Sequence, residues 1–589
     1  MRSIALLGIV LFLVACGAGQ PPQTSRPPGP PASAAAPAAA PVVGADLDYV
    51  IRREERPGGR YAVVIELTFQ GEKSGRTELS LPDAWAGEKE LYRDLTGLTA
   101  TSSGARIETG AEPSHPVVVH PPGAPVTIRY EFAQSAELAS IEEDRGYRVL
   151  VQKDYLHAIG HGLWVTPLDD GKTPRAIHLR WTGFPEGTAF ANSFGAGVGA
   201  HGQAFRETVD HFRHAVFVAG DFRLHEATVR GKKVSVALRG KWTFSDAEFV
   251  DLIGKVVETE RAFFNDDDFD RFLVTLLPTG NGCCSYGGTG LTNSFATFVS
   301  SNLPIERRMK HLLSHELFHT WNGRRIGRQD PEELVYWFSE GFTDYYAELL
   351  SFRSGLISLQ EYVDSINSTL RQYHLSPAKN APNEAIAKSF WSDRAIERLP
   401  YQRGHLLALM WNDRIRAQGK GTSIDNVMRD LFAAARDHGT VVSAASVDAL
   451  TKPYLADGIA ADIIKYVEKG ETVPSSASTL GPCVRLASAK IGAFELGFDE
   501  KASDEAGKIA GVVKGSAAER AGVRDGMKLR RSKWASDPTK PVLLIVVDGE
   551  REKTIEYLPQ GKAISVPQYR LDPKAYAANP AACEAPLRE

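Results

Sequence analysis

At Ser245 the hydrophobic period of the chain changes, and that change fixes the gross architecture. Before it, apolar residues recur at every second position. Tyr61-Ala62-Val63-Val64-Ile65-Glu66-Leu67-Thr68-Phe69 alternates after a Pro57-Gly58-Gly59 turn, as do Val126, Ile128, Tyr130 and Phe132, and then Val234, Val236 and Leu238. Period two marks half-buried strands, and many short ones punctuated by Gly and Pro imply an antiparallel sandwich. After it, Ser245 and Glu248 make a capping-box pattern, with Phe249, Ile253, Val256, Val257 and Phe263 at helical spacing. The helical pattern holds to about residue 475, apart from a strand-like Phe272–Leu277. Near 485 period two returns, with Gly-rich turns, until about 570. No solenoid repeat is present. The expectation is a multidomain α+β protein: a β-sandwich-like domain over 44–240, a mainly helical domain over 241–480 and a small β domain over 481–589.

The first 43 residues stand outside that scheme. Arg2 precedes an apolar run, Ile4–Val14. A bilayer core needs about 20 apolar residues in a helix, so the run is too short for a stable span and fits the core of a secretory signal. It ends Leu13-Val14-Ala15-Cys16, which resembles a bacterial lipobox. The resemblance implies a signal peptide over 1–15, cleavage before Cys16, and lipid on Cys16. Several acyl chains hold a protein firmly on a membrane. Gly17 follows instead of an aspartate, which favours the outer membrane of a bacterial cell envelope, facing the periplasm or the surface. Residues 16–43, with runs such as Pro27-Pro28-Gly29-Pro30-Pro31, cannot pack a core and read as a tether. Net charge is −4, from 68 Lys+Arg and 72 Asp+Glu, with no long basic run, so nucleic acid is not the expected partner.

The chemistry sits in the helical region. His311-Leu312-Leu313-Ser314-His315-Glu316-Leu317-Phe318-His319 contains H-E-x-x-H. On a helix, residues four apart share a face, so His315 and His319 can present two imidazoles to one cation, with Glu316 beside them as a base. Downstream, Tyr336-Trp337-Phe338-Ser339-Glu340-Gly341-Phe342-Thr343-Asp344-Tyr345-Tyr346 sets Glu340 among apolar residues. A carboxylate there is costly to bury unless paired or metal-bound. It supplies the third ligand of a His2Glu zinc site with an open fourth position. Asp344, one turn on, is placed to orient a ligand histidine. His311 is read as a helix residue, not a ligand.

Those two segments, with the W-x-S-E-G-F-x-x-Y-Y form, resemble gluzincin metallopeptidases, and most closely the M61 glycyl aminopeptidase family. Leu399-Pro400-Tyr401-Gln402-Arg403-Gly404 agrees, being similar to the Y-x-K/R-G motif of M61 and M1 peptidases. The resemblance implies a β-rich N-terminal domain, a thermolysin-like zinc peptidase domain and a C-terminal PDZ domain. It implies Glu316 as general base and Tyr401 as the donor that stabilises the oxyanion. In the last region, Phe494-Glu495-Leu496-Gly497-Phe498 is similar to a PDZ carboxylate-binding loop, and Gly515–Gly526 to the turn of bacterial PDZ domains. That implies capture of a peptide C-terminus at Leu496, Gly497 and Phe498.

One departure stands out. Related aminopeptidases carry a glutamate on a Gly-rich strand before the zinc helix, where it holds the substrate's amino group. The corresponding Tyr286-Gly287-Gly288-Thr289-Gly290-Leu291-Thr292-Asn293-Ser294 keeps the glycines and has no glutamate. An edge strand at Gly287, Gly288, Thr289 and Gly290 still offers backbone pairing to an extended peptide. The expected activity is therefore zinc-dependent peptide hydrolysis, aminopeptidase in the family's manner. Endopeptidase action, and a surface lipoprotein that binds peptides with little turnover, remain as alternatives. Cys283 and Cys284 stand just upstream as a vicinal disulfide, free thiols or ligands for other partners. Cys483 and Cys583 flank the last domain, where a disulfide would clamp its ends.

Overall fold

The computed structural model describes residues 44–588 apart from 86–87, 136–146, 200–201, 280–285, 535–537, 539 and 550. The signal, Cys16, the tether, Cys283 and Cys284 lie outside the described residues. The chain divides after Arg324 into two compact units. No helix among the described residues is long and apolar enough to cross a membrane.

The first unit opens with a six-stranded sheet in the order Gly202–Glu207, Arg175–Thr182, Leu47–Arg56, Arg60–Gln70, Pro125–Ala133, Leu95–Ala100. Its inward positions, among them Tyr49, Ile51, Val63, Ile65, Leu67, Ile128 and Tyr130, bury fully against Trp164, Phe212 and Phe217. The expected sandwich is antiparallel, yet Leu47–Arg56 runs parallel to Arg175–Thr182, from Leu47 against Ile177 to Arg52 against Thr182. A pairing between segments so far apart leaves no mark in local periodicity.

The expected break at 240 is also crossed. Arg223–Val229 and Lys232–Leu238 join Arg271–Thr279, Ser294–Ser300 and Tyr286–Leu291 in one five-stranded sheet. Parallel strands need a crossover, and the helix Asp246–Phe264 provides it between Lys232–Leu238 and Arg271–Thr279. Ser245 closes its capping box with Glu248, and Phe249, Leu252, Ile253, Val256 and Val257 face inward. A single core links Ile159, Val216 and Val218 with Leu273, Leu277 and Phe298, which is why no boundary falls at 240. Among the described strands beyond Arg271–Thr279, Tyr286–Leu291 runs antiparallel to its neighbour Ser294–Ser300 and forms the edge.

The second unit is helical from Gly341–Arg353 through Leu359–Leu375, Arg394–Arg416 and Ile424–His438. Its last part holds a two-stranded sheet, Val484–Phe494 with Gln560–Leu571, and a three-stranded sheet of Lys528–Lys533, Val542–Asp548 and Arg551–Tyr557. Leu496, Phe498, Ile509, Ala518, Leu544 and Val546 form a small core. The helix Glu500–Ala506 directly follows Leu496-Gly497-Phe498, capped by Asp499, and the next strand is Lys528–Lys533. Cys483 and Cys583 form a disulfide with Cα atoms 5.3 Å apart across a separation of 100 residues. In the chain-entropy view closing such a loop contributes about 5 kcal/mol. The module also docks on its own unit's helices. Asn367 Nδ2 donates to Tyr569 O at 2.8 Å, and Tyr569 N donates back to Asn367 Oδ1 at 2.7 Å.

The start of the crossover helix carries a pH signature. Arg223 and His225 both donate to Asp246, and the Arg223 guanidinium, followed by His225, draws the Asp246 carboxyl from 3.8 down to about 2. A depressed folded-state value contributes stability above the unfolded value that is lost as pH falls through the folded one. Asp246→Asn should therefore lower the thermal midpoint at neutral pH, with the gap to the parent closing between about pH 4 and pH 2. Midpoints measured across that range check it.

Candidate metal centre

In the first unit the helix Arg307–Phe318 buries Met309, Leu313 and Leu317, an i, i+4, i+8 stripe. That stripe turns His315 and Glu316 to another face. His319 is the C-cap, still in right-handed helical geometry, so the four-residue spacing survives the helix end. The Nε2 atoms of His315 and His319 lie 3.1 Å apart. His319 Nδ1 is 3.0 Å from Asn322 O. A carbonyl only accepts, so Nδ1 carries the proton and Nε2 keeps its lone pair for a cation. The turn beyond is anchored by Trp321, which donates from Nε1 to Asp266 Oδ2 at 2.6 Å and stacks on Phe264.

Beneath His315 lies a residue the sequence did not flag. Ser314 Oγ donates to Glu260 Oε1 at 2.6 Å. Burial pushes the Glu260 carboxyl well above the usual range, with Ser314 and His315 acting against it. No spacing rule links a glutamate on one helix to a serine 54 residues later.

The glycines of Tyr286–Leu291 have a steric reason. A Cβ on Gly288 would stand 3.2 Å from Glu316 Cγ, and one on Gly290 would stand 3.0 Å from Glu316 O and 3.4 Å from His319 Cβ. The strand therefore lies directly against the helix that carries the histidines, at a distance that favours glycine.

In the second unit Glu340 is buried and is the N-cap of Gly341–Arg353, its N–H donating to Tyr336 O at 2.9 Å. Arg328 Nη2 lies 3.5 Å from its carboxylate. Asp344 follows one turn on, half-buried, its N–H donating to Glu340 O. Tyr401 is not at a helix start. It sits within Arg394–Arg416, directly after Pro400, and is half-buried. Arg403 of the same motif is fully buried and clamps the chain by donating to Ala381 O at 2.6 Å. The elements of Glu340 and Tyr401 meet backbone to backbone. A Cβ on Gly404 would lie 1.7 Å from Trp337 O, and one on Gly341 would lie 2.4 Å from Gly404 Cα. Trp337 and Phe342 close the contact against Trp411. Glycine in S-E-G-F and in Y-Q-R-G thus serves one crossing.

His315 and His319 in the first unit, and Glu340 in the second, are the residue types of a His/His/Glu metal-donor set. Two imidazoles and a carboxylate suit zinc with a fourth position open. Comparison with known proteins agrees. The model of the M61 glycyl aminopeptidase family matches residues 308–399. That match covers one segment of the chain. That segment spans H-E-x-x-H and Glu340 and ends just before Tyr401. Among solved structures, an aminopeptidase N family protein from Idiomarina loihiensis is similar with a TM-score of 0.69 at 18% identity, covering 92% of this chain and 100% of that one. At that identity the likeness is one of fold. An M1 zinc metallopeptidase from Deinococcus radiodurans aligns with a TM-score of 0.45 at 17% identity, over 74% of this chain and 95% of that one. No curated protein matches the chain.

The crossing of Gly341 and Gly404 is testable. Gly404→Ala forces the two backbones apart, and overpacking of this kind costs about 3 kcal/mol. Urea unfolding should show the midpoint drop, and a parent-like midpoint would show that the helices separate freely.

Proposed function

We propose that the chain hydrolyses peptides with zinc held by His315, His319 and Glu340, acting as an aminopeptidase. The observation that carries this is the His315–His319 pair, with both Nε2 atoms together and Glu316 against the Gly-rich strand, inside the stretch that matches M61 peptidases. When bound, zinc acidifies a water and polarises the scissile carbonyl. Glu316 takes the proton from the attacking water and returns it to the leaving amine. Tyr401 donates its hydroxyl to the oxyanion that forms. Asp344 orients a ligand imidazole. Peptide lies along Gly287, Gly288, Thr289 and Gly290.

The same reading places the enzyme in a bacterial cell envelope, lipid-anchored through Cys16 and probing peptides at the membrane surface. The C-terminal module around Leu496, Gly497 and Phe498 would hold a peptide C-terminus through backbone N–H groups, although the helix Glu500–Ala506 follows that loop. Cleavage within chains is the second reading. It is favoured by the lack of any carboxylate between Tyr286 and Ser294, where the amine anchor of aminopeptidases would stand. Free and N-acetylated peptides, each assayed with and without a chelator, separate the two. Loss of cleavage on acetylation supports aminopeptidase action.

Two variants test the chemistry. Glu316→Gln should keep its zinc by elemental analysis and lose about a thousandfold or more in kcat. His319→Ala should lose the metal itself. Full activity in the first variant, or full zinc content in the second, would overturn the assignment.

A further inference from the structure

The edge of the Gly-rich strand is only half open. Tyr286–Leu291 pairs with Ser294–Ser300 through a two-residue turn, Thr292-Asn293, closed by Leu291 opposite Ser294. Bonded and non-bonded pairs alternate along such a ladder. Counting from the closing pair, Leu291, Thr289 and Gly287 bond inward. The N–H and C=O groups of Gly288 and Gly290 therefore point to the outer edge, where a peptide would add. Two side chains of the same unit already occupy that edge. Tyr147 Oη donates to Gly288 O at 3.0 Å, and Arg324 Nη2 donates to Gly290 O at 2.8 Å.

Both donors are fixed from behind. The Tyr147 ring packs edge-on against Phe298, which faces Gly287 on the neighbouring strand. Arg324 Nη1 reaches Thr292 Oγ1 at 3.4 Å, and Thr292 N donates to His214 O. His214 and His161 stand beside the guanidinium. Burial, followed by nearby positive charge that includes Arg324, holds them neutral, His214 at about 4 and His161 at about 2. A pairing strand runs about 4.8 Å away and places its N–H groups about 2.9 Å from the carbonyls it uses. Tyr147 Oη and Arg324 Nη2 lie where those N–H groups would come.

We propose that Tyr147 and Arg324 are specificity-determining residues that plug the Gly288 and Gly290 acceptors of the substrate strand and leave the donors of these two residues, so that across them a bound peptide is read through its carbonyl oxygens and not through its N–H groups. This rests on the reading of Tyr286–Leu291 as the substrate strand. The substrate class follows from it: peptides whose N–H groups along this edge are blocked, as by proline or N-methyl residues, bind as well as ordinary ones.

The test uses a cleavable peptide and its set of single N-methyl derivatives, with KM and kcat measured on the parent, Tyr147→Phe and Arg324→Met. Tyr147→Phe keeps the ring on Phe298 and removes only the hydroxyl. On the parent, N-methylation along the strand edge should leave KM within about twofold. On Tyr147→Phe, KM for the unmodified peptide should fall about fivefold, the worth of one hydrogen bond. N-methylation at one position should cancel that gain. Arg324→Met should do the same at a position two residues away, matching the spacing of Gly288 and Gly290. A parent sensitive to N-methylation at two alternate positions, or variants that show no position-dependent coupling, would overturn the proposal. A merely structural role for Tyr147 would change stability and leave this coupling at zero. Chelator-sensitive cleavage without coupling sinks the plug alone. A parent with no chelator-sensitive cleavage sinks the substrate-strand reading and the plug with it.

Discussion

The crossing of Gly341 and Gly404 is the constraint on which the second unit turns. A methyl group at Gly404 would sit 1.7 Å from a carbonyl oxygen, so the geometry exists only because neither residue has a side chain. Glu340 directly precedes one glycine and Tyr401 lies a turn before the other. Their separation is therefore set by backbone contact, with no flexible side chain between to absorb error. Backbone contact is the stiffest spacer a protein has, because interiors are packed as densely as organic crystals. The aromatic wall of Trp337, Phe342 and Trp411 then holds the two helices at that spacing.

The first unit solves the matching problem in the same way. Gly288 and Gly290 bring a strand edge against the helix of His315 and Glu316. The parallel sheet behind is built from the capped crossover helix Asp246–Phe264, and the Trp321–Asp266 bond ties the turn after His319 to the loop that ends that helix. Side chains so placed sit on regular elements whose own packing fixes them.

The candidate site residues were legible in the sequence wherever they followed helical spacing. His315, Glu316 and His319 declare themselves by position, and Glu340 by being an acid amid aromatic residues. The glycines were visible as motif members, but their reason was not, since each depends on a partner distant in the chain. Glu260, Tyr147 and Arg324 carried no signal, because their contacts span 54, 141 and 34 residues. Domain boundaries misled for a related cause. Period two reports that a strand exists and says nothing about which sheet takes it, so Arg223–Leu238 read as part of the sandwich when it pairs with the sheet of Arg271–Thr279 and Tyr286–Leu291. The disulfide between Cys483 and Cys583 was suggested by the way the two cysteines flank the last domain, although sequence spacing alone does not settle a pairing.

The amide of Asn367 pairs with the backbone of Tyr569 as a neighbouring strand would, in both directions. Gln568 adds a bond to Asn367 O, and Arg353 donates to Leu587 O near the chain end. A helix surface is thereby made to act as the missing edge of a two-stranded ribbon. The C-terminal module is thus no bead on a string. A gene shortened after residue 480 would strip the buried Asn367 amide of its partners and bare an apolar flank of the helix Leu359–Leu375. Recombination that shuffles such modules between proteins would have to carry this helix along.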